Sequence, residues 1–587
     1  MRNHLLQRKQ IFTLMVFLSL FFNSFAQKES FSYRESYFPM VSASKAFQLK
    51  YDTMPLDRYW GLWGHNLYKW VEKDEASENE EIYAFIDDER NCDQFCFSSS
   101  ALQKIIQKNI RKTKSAYTYY MVSPQDNTLV CQCEKCIEAG NTATNAAPAV
   151  FNLLQDLAKE HQDLQFFTTA YLSVKTPPKE KQTENIGVFY STIQFQEGKA
   201  YQELKNKQEL SDELTAWKDK LEHIFVWEYA LNYDNYFDFY PNLKDFQQNL
   251  KFLKDHGVDG VFINGSESYS ALQDIKCATT ARLLKEPDLK LNEVLTEEFN
   301  ARYPKEVAKI TSEFYRNITE EFSNSTKKMG IYSGINDAYR KYLHPEAFES
   351  FYRQLKPLTS EPQDFNTQSL LLSVAFLRLE LMRYFGVNEF GYGNLNANKI
   401  TIKPEVHELL KVIEQTSKST KITTYNEQNA KISDYLKFWR SDILTQSTNY
   451  FLNKKINVLS NLDEGYSAIK VLNDGSIGFL DYNTNWLINS IDDLEIEINT
   501  EDLEEINTIK FGFLNDPAHH IYLPEEIIIS SDEHRKKLKL KSSTLKEKKT
   551  VNFPVDFKPG KKLIIKILRR KNSSVKSQIA TDEISIN

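Results

Sequence analysis

Apolar blocks and amphipathic stretches alternate along the first half of the chain. The runs at 31–37, 60–64, 82–86, 117–122, 164–172, 186–191, 224–229 and 260–264 look like short strands, and the one at 117–122, aromatic and apolar with no helical period, predicts a strand buried on both faces, as in a parallel sheet. Between the later runs, 147–161, 201–221 and 243–256 place apolar residues at helical spacing. This β/α alternation, with no Gly-rich phosphate loop after any strand, predicts a (β/α)8 TIM-type barrel over 27–290 rather than a nucleotide-binding sheet. From 291 to 455 the pattern becomes long helical segments at 294–302, 305–322, 346–355, 367–384 and 431–439, an α-helical region packed on the barrel. From 456 to 587 short strands at 494–498, 508–513, 526–530 and 563–568, separated by Asn473-Asp474-Gly475 and Asn515-Asp516-Pro517, predict a C-terminal β-sandwich.

The N-terminus carries an address. Arg2, Arg8 and Lys9 precede an apolar core at 11–22, with Ser24 and Ala26 before Gln27, the pattern of a secretory signal peptide cut after Ala26. No cysteine follows the cut and no later run reaches the length of a membrane span, so the expected protein is secreted or periplasmic without a lipid anchor. A net charge of -7 leaves no basic field for nucleic acid. Aromatics at 13%, mostly Tyr and Phe, suit a carbohydrate cleft as well as a large core.

Candidate chemistry gathers at strand ends, where a barrel opens its active-site mouth. Asp126 follows the run at 117–122; starting a turn before Asn127 is the other role open to it. Glu228 ends the run at 224–228 between Trp227 and Tyr229, an apolar setting that raises a carboxyl pKa; a structural ion pair is its alternative. Two carboxylates facing one mouth suit glycoside hydrolysis, one protonating the leaving oxygen and the other acting as nucleophile or base. Arg34 and Glu35 in the first strand, Trp63, His65 and Asn66 after the second, Tyr171 at the end of the fifth, Trp227, Asn232 and Asn264 are candidates to hold a sugar. Glu267 joins them and rivals Glu228. Cys96 and the motif Cys131-x-Cys133-x-x-Cys136 form a second cluster. Secretion favours disulfides there, while a structural zinc on four thiolates is the alternative; either would pin the loop behind Asp126. No other cofactor is implied.

The series Tyr33-Arg34-Glu35, Trp60-Gly61-Leu62-Trp63-Gly64-His65-Asn66, Gln125-Asp126, Cys131-Gln132-Cys133-Glu134-Lys135-Cys136, Trp227-Glu228-Tyr229 and Gly257-Val258-Asp259-Gly260-Val261-Phe262 resembles the domain of unknown function 4838 family. The resemblance implies a glycosidase-like barrel similar to family 20 hexosaminidases and α-glucuronidases, and it carries over Asp126 and the cysteines as site residues. Glu228 stands where many relatives carry aspartate, and the small α/β domain often found before such barrels is not expected here. Asp474-Gly475, Asp481, Asn485-Trp486-Leu487 and the run at 493–498 resemble a discoidin-like, galactose-binding-like sandwich, which implies a glycan-binding or spacer domain. The expected function is a secreted glycoside hydrolase-like protein acting on a complex glycan. A non-catalytic glycan-binding protein on the same barrel is the alternative, and a surface assembly protein braced by its cysteines is a third reading.

Overall fold

The structure, a computed structural model, describes residues 31–587 apart from 73–78, 360–363, 467, 502, 504–505, 533, 558–561 and 572–575. The leader expected at 1–26 lies outside the described residues.

Seven strands form one parallel sheet: β1 (Tyr33–Ser36), β2 (Trp60–Leu62), β3 (Tyr119–Met121), β4 (Gln165–Ala170), β5 (Ile186–Ser191), β6 (His223–Tyr229) and β7 (Gly260–Asn264), in the order β1-β7-β6-β5-β4-β3-β2. The expected eightfold barrel is therefore corrected to a seven-stranded one whose edges, β1 and β2, share no ladder. The run at 82–86 is the missing member. Its residues Tyr83–Ile86 fold back antiparallel on Glu89–Phe95, because Asp87 and Asp88 both take positive φ, 50° and 64°, the geometry of a tight hairpin turn.

What curls the sheet is its inner face. Side chains alternate across a strand, and each strand contributes one large residue to a common interior: Tyr33, Trp60, Met121, Phe167, Phe189, Phe225 and Phe262. Phe189 sits edge-on to Tyr33, Trp60, Phe167 and Phe225 at centroid distances of 5.9, 5.5, 5.7 and 5.4 Å. The edges meet through these side chains: Trp60 Nε1 donates to the Tyr33 hydroxyl at 3.0 Å. Two glycines make room for the rings. A Cβ at Gly187 would lie 2.4 Å from Phe167, and one at Gly260 would lie 2.3 Å from Phe225. The interior is thus a packed core, as in larger barrels, and not a pore.

The outward residues of the same strands, among them Phe166, Val188, Val226 and Val261, join the helices in one large core. That core continues without a break into the helical elements from Leu291–Arg302 to Ile432–Phe438. The helix Phe365–Phe385 is buried almost all round. Its Arg383, wholly buried, pairs with Glu380 and with Asp481 at 2.7 Å each, tying the helical region to the C-terminal part. Among the described residues no helix is long and apolar enough to cross a membrane.

Two antiparallel sheets make the C-terminal sandwich. One orders Ile456–Val458, Leu494–Asn499, Lys562–Leu568, Glu526–Ser530 and Arg535–Lys539; the other orders Leu487–Asn489, Ile579–Ile586, Ile506–Asn515 and Glu547–Phe557. Alternating residues such as Leu494, Ile496 and Ile498 fill the space between them. Trp486 is buried beside Ile488 and Leu514 and belongs to the core.

The barrel interior predicts its own sensitivity. Phe189→Ala should cost about 3–5 kcal/mol, the usual range for removing a fully packed phenylalanine, read as a lowered denaturation midpoint at unchanged m. A loss under about 1 kcal/mol would contradict the packing described.

Candidate functional site

All seven strands end at the same mouth. Trp63 follows β2 and Trp227 lies near the end of β6; their rings stack 5.2 Å apart at 19° and close the barrel over Phe189 and Phe262. Gly64 takes φ +59°, which lets the chain turn sharply between Trp63 and His65, and Asn66 Nδ2 braces the turn by donating to the Trp63 carbonyl at 2.8 Å. A cleft of about 600 Å³ opens here, lined by Tyr37, Trp63, Asn66, Trp227, Asn264 and Glu267 among others. Trp227 Nε1 has no hydrogen-bond partner among the described residues. Exposed Glu267 accepts a hydrogen bond from the Tyr37 hydroxyl. Burial, then that carboxylate, hold the hydroxyl well above the usual tyrosine pKa, so Tyr37 remains a proton donor.

Asp126 stands exposed on the loop after β3. Tyr171, just past β4, is hydrogen-bonded to it, and burial together with the Asp126 charge pushes the Tyr171 hydroxyl up. His65 Nδ1 donates to the Pro124 carbonyl at 2.6 Å, which fixes the imidazole tautomer, and its ring lies 6.0 Å from Tyr171. The hairpin clasps this loop. Gln125 N–H donates to Gln94 Oε1 at 3.1 Å, Gln94 Nε2 donates to Asn127 Oδ1 at 3.0 Å, and Asn127 Nδ2 donates to the Asp93 carbonyl at 2.8 Å.

Four expected site residues lie elsewhere. Glu228 alternates with inward Trp227 and so points into the helical layer, 1% exposed. Its carboxylate accepts from the Tyr201 hydroxyl and, at 2.9 Å, from Gln196 Nε2. Burial raises its pKa to about 7 against these hydrogen bonds, which lower it. Arg34, outward on β1 and buried, donates to the Phe31 carbonyl at 2.6 Å and pairs with Asp52 at 2.9 Å. Glu35 is 1% exposed inside the barrel and accepts from the Tyr33 hydroxyl at 2.6 Å. Asn232 is a loop brace, donating to Asp238 and to the Ser333 carbonyl at 2.9 Å each.

The cysteines correct another expectation. All six are unbridged; Cys96 Sγ lies 3.6 Å from Cys133 Sγ and 3.7 Å from Cys136 Sγ, far beyond the ~2.05 Å of a disulfide.

Sequence reasoning missed a second cleft, of about 650 Å³, where the loop after β6 (Asp234), the helical region (Tyr332, Tyr425, Glu427) and the sandwich (Tyr482, His519) meet. Burial, then Asp481, push Asp234 up to about 6, and the Tyr332 hydroxyl donates to Glu427 at 2.9 Å. The rings of Tyr229, Tyr233 and Tyr332, 6.1 and 5.7 Å apart in succession, link it to the barrel mouth. Its residues come from segments too distant in sequence for any motif to join them.

The Glu228 shift gives a signed prediction. A carboxyl with a folded pKa near 7 against an ordinary 4.5 favours its neutral form, so the native state loses stability as pH rises from 4.5 to 7, by about 3 kcal/mol. Relative to wild type, Glu228→Gln should therefore gain stability across that window, measured as paired unfolding midpoints at pH 4.5 and pH 8. A pH-independent difference would show that Glu228 is not buried in this way.

Solved structures similar to parts of the chain include a chitosan-binding module of a chitosanase/glucanase from Paenibacillus sp. IK-5, at 15% identity over 24% of this chain and 98% of the module, TM-score 0.17. A module of a Clostridium perfringens protein in complex with GlcNAc-α-1,4-galactose shows 18% identity over 24% of this chain and 94% of its own, TM-score 0.17. A family GH115 4-O-methyl-α-glucuronidase with specificity for decorated arabinogalactans shows 11% identity over 82% of this chain and 66% of its own, TM-score 0.34. No curated protein matches the chain. The family described as Domain of unknown function (DUF4838) matches residues 21–316, half of the chain, and the protein belongs to that family.

Proposed function

We propose that this protein is a glycoside hydrolase-like enzyme that holds a glycan at the barrel mouth. The observation that carries the reading is the stacked Trp63–Trp227 pair bordering a cleft with an exposed carboxylate, Glu267, while a second, Asp126, stands at the same end of the barrel. Indole faces suit the apolar faces of sugar rings, the Asn66 and Asn264 amides suit hydroxyls, and two carboxylates supply the acid and the base or nucleophile. Asp126 keeps the role expected of it, with Tyr171 as its hydrogen-bond donor. Glu267 takes the second role in place of Glu228, whose carboxylate is buried and already accepts from Tyr201 and Gln196. The sandwich serves as an accessory glycan-binding domain, and the leader pattern at 1–26 sends the protein out of the cytoplasm.

The withdrawal of Glu228 also favours a second reading, glycan binding without hydrolysis on the same platform. Turnover by residues 27–587 on a panel of aryl glycosides and polysaccharides separates them. Asp126→Asn and Glu267→Gln should each lower kcat by roughly 10²–10⁴-fold, and Glu228→Gln should leave kcat nearly unchanged. Binding lost in Trp63→Ala, with no turnover by wild type, would establish the lectin-like reading. Turnover abolished by Glu228→Gln but not by Glu267→Gln would return the second role to Glu228.

A further inference from the structure

Cys96, Cys131, Cys133 and Cys136 bring their four sulfurs within 4.8 Å of one another. Three of the residues are fully buried and Cys133 partly so. A tetrahedral site with zinc–sulfur bonds of ~2.3 Å spaces its sulfurs ~3.8 Å apart; the Cys96 sulfur lies 3.6 and 3.7 Å from those of Cys133 and Cys136. The Cys96 separations are too long for a disulfide, and a spread of no more than 4.8 Å lets four thiolates close on one ion. The surroundings suit thiolates. Phe85 N–H points at Cys131 Sγ at 3.2 Å, and Ser98 Oγ lies 3.2 Å from Cys136 Sγ, the hydrogen bonds that orient and stabilise metal-bound sulfur.

We propose that these four cysteines bind one structural zinc ion, which locks the hairpin to the loop carrying Asp126. Cys96 directly follows the hairpin strand Glu89–Phe95, two residues after the Gln94 that clasps Gln125 and Asn127. Cys131 and Cys133 lie where the Asp126 loop enters the short helix Glu134–Ala139, and Cys136 lies within it. The ion would close a covalently linked circuit through both ends of the clasp. With all four ligand positions taken by protein sulfur, it has no open site for substrate and its role is structural. The site stands whether or not the protein hydrolyses a glycan.

The test is metal analysis of full-length mature protein purified without chelator. One zinc per chain is expected, and titration of the native protein with a mercurial should release it as four thiols react, followed with a colorimetric zinc indicator. Cobalt replacement should give the sulfur-to-metal charge-transfer and tetrahedral ligand-field bands of a four-thiolate site. Cys133→Ser should lose the zinc, while Cys92→Ser, exposed and outside the cluster, should keep it. Because Cys133→Ser can fail to fold, the wild-type titration decides by itself. A mass short of four hydrogens under non-reducing conditions would overturn the proposal in favour of disulfides. Iron in place of zinc would overturn the zinc assignment, as would four reactive thiols that take up neither zinc nor cobalt under reducing conditions.

Discussion

The structure depends on one packing constraint: each of seven parallel strands must bury a large side chain in a shared interior. Rings at Tyr33, Trp60, Phe167, Phe189, Phe225 and Phe262, with Met121, fill the barrel, and only glycine at 187 and 260 leaves space beside them. The edges of the sheet share no ladder, and the gap between them is spanned by a Trp60–Tyr33 hydrogen bond rather than by a further strand.

The same constraint fixes the chemistry at the mouth. Strand side chains have a period of two, so once Phe225 is inside, Trp227 must be inside and Glu228 outside. A carboxylate cannot be moved to the mouth without turning Phe225 out of the core. Glu228 therefore joins Tyr201 and Gln196 in the helical layer, and the polar side chains beyond the reach of strand parity are those on the connecting loops: Asp126, His65, Tyr171 and Glu267.

Much of this was legible. Eight short aromatic and apolar runs marked seven of the strands of the sheet, and the ends of those strands pointed to Trp63, Asp126 and Asn264. The hairpin at 83–95 was misread because four apolar residues look alike in a hairpin and in a sheet; only the paired aspartates at its turn mark the difference. Glu228 and Arg34 were misplaced because the composition of their strands does not show which residues point inward; Glu35 does point inward but is 1% exposed, bound to the Tyr33 hydroxyl within the barrel. Because sulfur separation is a property of two segments meeting in space, the cysteine spacing alone did not separate disulfide from metal, and the leader pattern tipped the expectation to disulfides. The cleft at Asp234, Glu427 and Tyr482 had no local signature at all.

Asp126 shows how the two kinds of information combine. It follows β3, a strand of three residues, so the sheet fixes the start of its loop and little beyond. Trp63 and Trp227 are held by the barrel core and need no further support. The Asp126 loop has only what its neighbours supply: the Asp93–Gln94 clasp on one side, His65 on the Pro124 carbonyl, and the sulfur cluster behind it. Under the proposed function, Asp126 acts on a ligand lying on a rigid indole platform and has to be as well fixed as that platform. The inserted hairpin, which contributes no strand to the sheet, accounts for its place in the fold by doing this.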